Sequence, residues 1–167
     1  YKTYFIVPNG KTRIENNVQV IGFHSVMKSR LQRMKETVDE VLKEALKVKA
    51  DIYHLHDPEL LRITKKLKSI NGAKVIFDSH EDVPKQILDK YWIPVVFRKL
   101  ISKLYGYHEK RACKTIDGIV SVTPIICKRF SEFHPNVEMI ANYPQINLPE
   151  GQVPKKTHNH ICYIGGL

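Results

Sequence analysis

Along this chain, short apolar runs that end in polar clusters alternate with stretches whose apolar residues recur every three or four positions. Side chains alternate along a strand and return to one face of a helix after three or four residues, so the two patterns read as strands and helices. Tyr4-Phe5-Ile6-Val7 is a strand, stopped by the turn residues Pro8-Asn9-Gly10. Val18 to Phe23 is the next, and the polar stretch between them predicts an antiparallel or edge excursion. From Ser29 to about Lys49 the period changes. Leu31, Met34, Val38, Val41, Leu42, Ala45 and Leu46 line one face of a long helix, and Lys28, Arg30, Arg33, Lys35, Lys43, Lys47 and Lys49 form a basic, solvated opposite face.

Ile52 to Leu55 is a further strand. Asp57-Pro58 then reads as an N-cap with proline at the first helical position, opening a helix that carries Leu60, Leu61, Ile63, Thr64 and Leu67 and stops at Asn71-Gly72. Val75 to Phe77 is a continuous apolar run, the mark of a parallel strand buried on both faces. Strand, helix and strand in that order predict a right-handed parallel pair. A short helix from Pro84 to Lys90 follows, and Pro94 opens a long one reaching about Lys114. Its apolar positions are Val96, Phe97, Leu100, Ile101, Leu104 and Ala112. Tyr91, Trp92, Phe97, Tyr105 and Tyr107 lie among Arg98, Lys99, Lys103, Lys110, Arg111 and Lys114. Two readings stand: an interfacial surface, or aromatics in the core beside solvated cations. Ile116 to Val122 is another strand, Thr123-Pro124 caps a helix through Phe130, and Val137 to Ala141 is a last short strand. The pattern is that of an α/β domain. Residues 145 to 160, rich in Pro, Lys and His, read as a linker, after which Ile161 to Leu167 begin a new strand and glycine turn, as if entering a second domain.

Composition narrows this picture in two ways. The 167 residues suffice for one domain with its own core, and 43% are hydrophobic, yet no apolar run is long enough to cross a membrane or to serve as a signal peptide. Cys113, Cys127 and Cys162 are few, odd in number and far apart, which favours reduced thiols in the cytoplasm over a disulfide framework or a CxxC metal site. Lys and Arg number 27 against 17 Asp and Glu, a formal charge of +10. Such an excess favours anionic partners, namely phosphates, nucleic acid or an acidic membrane surface, unless it serves solubility alone.

Chemistry concentrates at two strand ends, Asp51-Ile52-Tyr53-His54-Leu55-His56-Asp57-Pro58 and Ala73-Lys74-Val75-Ile76-Phe77-Asp78-Ser79-His80-Glu81-Asp82. Ligands of open α/β sheets bind outside the carboxyl ends of the strands, so neighbouring ends rich in His and acid predict one shared site. His54 and His56 point to one sheet face and could bind zinc with His80, Asp57 or Asp78, as in a metal-dependent hydrolase. Asp57 is otherwise explained as a helix cap. Asp78 and His80 are not, and a histidine among acids can act as a base or donate to a phosphate or a sugar hydroxyl. The helix N-termini after Asp57, Asp82 and Thr123 face the same edge and favour an anionic ligand there. Neither GxGxxG nor GxxxxGK[ST] occurs, so a dinucleotide or P-loop site has no support.

The series HLHDPELL, AKVIFDSHEDVPKQIL, DGIVSVTPIICKRF, IANYP and ICYIGGL, over residues 50 to 167, resembles the N-terminal half of a family 4 (group 1) glycosyltransferase of the GT-B type, and is most similar to bacterial enzymes of capsular and other surface polysaccharide synthesis. The resemblance implies a Rossmann-like, three-layer α/β domain with a mostly parallel sheet over residues 1–150, a linker at 151–160 and the first strand of a C-terminal domain at 161–167. It implies retaining transfer of a sugar from a nucleotide-sugar to a glycan or lipid-linked acceptor, with no cofactor and no metal. His80 then lies near the transferred sugar as the catalytic candidate together with Glu81. His56, Asp57, Asp78 and Asn142 become substrate contacts, and Gly165 and Gly166 approach the donor diphosphate. Lys99, Lys103 and Lys110 become membrane-facing at the inner, cytoplasmic face of the cell membrane. The chain departs from the family pattern in opening at the second strand and in stopping before the paired-glutamate donor motif, so a piece inactive by itself is the expectation. The competing expectations are the hydrolase using His54, His56 and His80, and a basic nucleic-acid-binding module. No recognised DNA or RNA motif supports the second, and no nucleic-acid partner is expected.

Overall fold

The apolar runs become strands that sort into two sheets. In a computed structural model the described residues are 1–25 and 30–142, with side chains from residue 35 onward in the second stretch. Strands β1 (Thr3–Pro8), β2 (Arg13–Glu15) and β3 (Val18–Phe23) form one sheet in the order β1-β3-β2. The predicted antiparallel excursion is confined to β2. Asn16 and Asn17, at φ 48° and 65°, make the two-residue turn that returns β2 onto β3, a conformation for which Asn is well suited. β1 and β3 are parallel, with Phe5 opposite Val20.

The second sheet contains β4 (Ile52–Leu55), β5 (Lys74–Ser79), β6 (Gly118–Ser121) and β7 (Val137–Met139), in that order and parallel throughout. This is a four-stranded parallel sheet flanked by helices, compatible with a Rossmann-like fold. The expected single sheet is thus divided, because β1 and β4 each pair on one side only. The helices are α1 (Arg30–Val48), α2 (Thr64–Lys68), α3 (Val83–Asp89), α4 (Val95–Cys113) and α5 (Pro124–Ser131). The helix predicted after Asp57 begins instead as a 3-10 segment, Pro58–Ile63, before widening into α2.

Register fixes which residues share a face. Tyr53 and Val75 pair, as do Leu55, Phe77 and Ile119, and all are buried against Val38, Leu42 and Ala45 of α1, Leu61 and Leu67, Cys113 of α4, and Ile126 and Phe130 of α5. The alternate positions Ile52, His54, Ile76, Val120 and Glu138 are exposed or half-buried. Among the described residues the main buried cluster therefore lies on the face that carries Tyr53, Val75 and Phe77.

Most of the aromatics and apolar positions around α4 lie outside the core, although Tyr105 and Ala112 are half-buried. Val96, Phe97, Leu100, Ile101 and Leu104 are exposed, as are Tyr91, Trp92 and Tyr107. Its inner face is polar: Arg98 donates to the carbonyls of Ile93 and Leu88, Ser102 donates to the carbonyl of Pro84, and Glu109 is 1% exposed. Glu109 can be buried because Arg129 of α5 grips both its oxygens, Nη1 on Oε2 and Nη2 on Oε1 at 3.4 Å. Burial pushes the Glu109 carboxyl above its ordinary range, and the guanidinium pulls it back.

Candidate functional site

β5 runs two residues further than the apolar run predicts, so Asp78 and Ser79 belong to the strand. Ser79 turns inward and its carbonyl accepts a bond from Ser121 Oγ at 2.7 Å, tying β5 to β6. Asp78 pairs with Val120 in register, on the face that carries Ile76 and His54. Strand alternation brings His54 and His56 to that face too, next to the Asp78 carboxylate. His54 Nε2 lies 3.6 Å and His56 Nδ1 3.4 Å from Asp78 Oδ2, and His80 Nε2 lies 3.4 Å from Oδ1. The His54 and His56 rings are 4.6 Å apart, and those of His56 and His80 stack at 6.1 Å. Asp78 is the buried centre of this group, its side chain 13% exposed, while the three imidazoles are partly open to solvent. Burial lowers the His54 imidazole below its ordinary value; His56 and His80 push the same way and Asp78 opposes them.

His80 and Glu81 leave the strand at its carboxyl end. Ser79 Oγ donates to the Glu81 carbonyl at 3.2 Å, and Asp82 then caps α3 by accepting from the N–H of Lys85 at 3.4 Å. Arg129 also approaches this cap, with Nε 3.6 Å from Asp82 Oδ1. The buried Glu109–Arg129 pair is thereby coupled to the segment that carries His80. Asn142, sixty-two residues away in sequence, reaches His80 Nδ1 with its amide at 3.4 Å.

His56, Asp57, Pro58, Phe77, Ser79, His80, Glu81 and Val83 line a pocket of about 280 Å³ at this edge. Asp57 corrects its expected role: its side chain makes no capping bond, although its carbonyl accepts from Leu60 N–H at 3.0 Å. The carboxylate is therefore free to face the pocket. Thr123 does cap α5 through the N–H of Ile126, as its sequence predicts. A second hollow of about 360 Å³ lies around Ile76, Val120, Asn136 and Glu138 and holds no histidine.

Of the sequence-predicted residues, the structure gathers His56, Asp57, Asp78, His80, Glu81 and Asn142 in one place. Gly165 and Gly166 lie outside the described residues, as do the linker and the last strand. Lys99, Lys103 and Lys110 are exposed on α4, but Lys110 is turned onto the Phe133 ring, 5.5 Å from its centroid. Sequence reasoning missed Arg129 and Glu109, whose only signal was a charged pair within otherwise ordinary amphipathic helices. Among the described residues no helix is long and apolar enough to cross a membrane. In comparisons with known proteins, no family model and no curated protein matches the chain.

Proposed function

We propose that this chain is the acceptor-side, Rossmann-like part of a GT-B glycosyltransferase that moves a sugar from a nucleotide-sugar to a glycan or lipid-linked acceptor with retention of configuration. The observation that carries the reading is the pocket in which His80 leaves a parallel strand with Asp78 behind it and the Asn142 amide in front, at 3.4 Å from each. In the proposed reaction His80 hydrogen-bonds the transferred sugar or the incoming hydroxyl. Asp78 and Asn142 orient the ring, and Asp57, Glu81 and His56 contact acceptor hydroxyls. Gly165 and Gly166 serve the donor diphosphate, and the chemistry calls for no cofactor.

The break between the sheets supports the same reading. A doubly wound sheet has the strand order 3-2-1-4-5-6. With β3, β1, β4, β5 and β6 as strands 3, 2, 4, 5 and 6, the break falls at strand 1, the strand that the family resemblance leaves out. The outward apolar stripe of α4, with Lys99 and Lys103 beside it, supports docking on an anionic membrane where a lipid-linked acceptor resides.

The test uses the complete reading frame that contains this chain, with UDP- and GDP-sugars, a lipid-linked acceptor and EDTA, beside His80→Ala. Transfer that survives EDTA and falls at least a hundredfold in the variant is expected. Activity lost to EDTA with no sugar transfer would overturn the reading in favour of a hydrolase. Neutralising Lys99, Lys103 and Lys110 together is expected to abolish sedimentation with anionic liposomes; unchanged sedimentation refutes the membrane contact.

A further inference from the structure

His54 has no part in the proposed transfer, yet it faces the same carboxylate as His56. His54, His56 and Asp78 offer three ligand atoms that all lie within 4.8 Å of one another. In a tetrahedral zinc site, bonds of about 2.0–2.1 Å put neighbouring ligand atoms roughly 3.3–3.4 Å apart. The two edges that meet at Asp78 Oδ2 already have nearly that length, 3.4 Å to His56 Nδ1 and 3.6 Å to His54 Nε2. The remaining edge joins the two imidazoles. It is at most 4.8 Å long, and shortening it calls for a rotation of His54, whose side chain is 47% exposed.

Asp78 supplies the second, independent observation. The residue is 9% exposed, and its Oδ1 is buried without accepting a hydrogen bond among the described residues. A buried carboxylate oxygen without a donor is costly, and a cation relieves that cost. His80 Nε2 lies 3.4 Å from Oδ1, beside this group of ligand atoms. Two imidazoles and one carboxylate suit a borderline dication; calcium and magnesium take oxygen ligands, and copper(I) takes sulfur.

We propose that His54, His56 and Asp78 bind one zinc-class dication at the carboxyl ends of β4 and β5, with His80 beside it. This departs from the sequence expectation of no metal, and it does not rest on the transferase reading. Of the three ligands only His56 also lines the acceptor pocket, so zinc bound there would take that one contact from an acceptor.

The test is cobalt(II) titration of the full chain after chelator treatment and dialysis, followed by visible absorption, with zinc(II) as competitor. One cobalt per chain with the intense bands of tetrahedral coordination, bleached by one equivalent of zinc, is expected. His54→Ala and Asp78→Asn are each expected to weaken binding tenfold or more. His158→Ala with His160→Ala removes another His-x-His pair, outside the described residues, and is expected to leave binding unchanged. Loss of binding in that double variant, unchanged binding in His54→Ala, or no tetrahedral spectrum would each overturn the site. If Asp78→Asn fails to fold by circular dichroism, the exposed His54→Ala variant decides the matter. The readout is independent of sugar transfer, so a failed transferase assay leaves it standing.

Discussion

Replacing Glu109 by Gln removes one charge and almost no volume from the inner face of α4. In the native protein that carboxylate meets the Arg129 guanidinium through two parallel contacts, and the guanidinium also covers the Phe130 ring at 4.3 Å. Breaking a buried pair from one side costs about 3–5 kcal/mol, because the surviving charge has no partner. Arg129 keeps Asp82 within 3.6 Å and its side chain is 21% exposed, so the loss is smaller. We expect roughly 2–3 kcal/mol for Glu109→Gln after that discount. Arg129→Met leaves the carboxylate alone instead. With its pKa raised by burial, that carboxyl is protonated at low pH and must ionise as pH rises. This variant should therefore be least impaired below about pH 4 and lose stability as pH rises through the raised value. The double variant Glu109→Leu/Arg129→Met has no buried charge at this pair, and should lie within about 1 kcal/mol of the native protein. Urea denaturation, with midpoints compared at equal slope, measures all three. Additive single and double losses, or a Glu109→Gln loss below roughly 0.5 kcal/mol, would refute this account of α4.

Other perturbations test separate parts of the fold. Burial pushes Asp117 upward, but the Val75 N–H, Lys68 and Lys74 outweigh it and hold the carboxyl at about 2. Its contribution is therefore present above about pH 4 and lost as pH falls toward 2. Asp117→Asn should flatten that acid limb and cost about 1 kcal/mol at neutral pH, read from thermal melts. Phe130, fully buried between Phe77 and Phe133, should cost about 3–5 kcal/mol as Phe130→Ala in urea denaturation. Gly22→Ala would press a Cβ against the Gly10 carbonyl oxygen; a loss of about 1–3 kcal/mol in a thermal melt is expected, and an unchanged Tm would place Gly10 elsewhere.

The strands of the parallel sheet and the starts of α3 and α5 were legible because local signals and tertiary demands agree there. Val75 and Phe77 are apolar because they are covered, and Asp82 and Thr123 cap the helices that follow. The site was legible for the same reason, since strand ends in a parallel sheet must meet. What escaped was set by tertiary partners. The apolar face of α4 marks a core in an ordinary helix, but here Arg129 lets Glu109 take the inside position. The Asp57-Pro58 pair predicts a capped α-helix, but the segment winds as 3-10 and leaves the Asp57 side chain unused for capping. The division of the sheet had no local signal, because every strand reads the same whether or not its neighbour is present.

That division has a consequence for how the molecule opens. Among the described residues, the β1-β3-β2 sheet buries only Val20 below 9% exposure, whereas Val75, Phe77, Ile119 and Ser121 of the other sheet are 0–1% exposed. Amides are released for hydrogen exchange by the cheapest unfolding that frees them, and a sheet with so little burial can separate before the rest of the protein unfolds. The amides of β1 and β3 should thus exchange through a partial opening, and those of β5 and β6 only through global unfolding. The chain should then unfold as two cooperative units, and a ligand bound at the strand ends should slow exchange in the second without slowing it in the first.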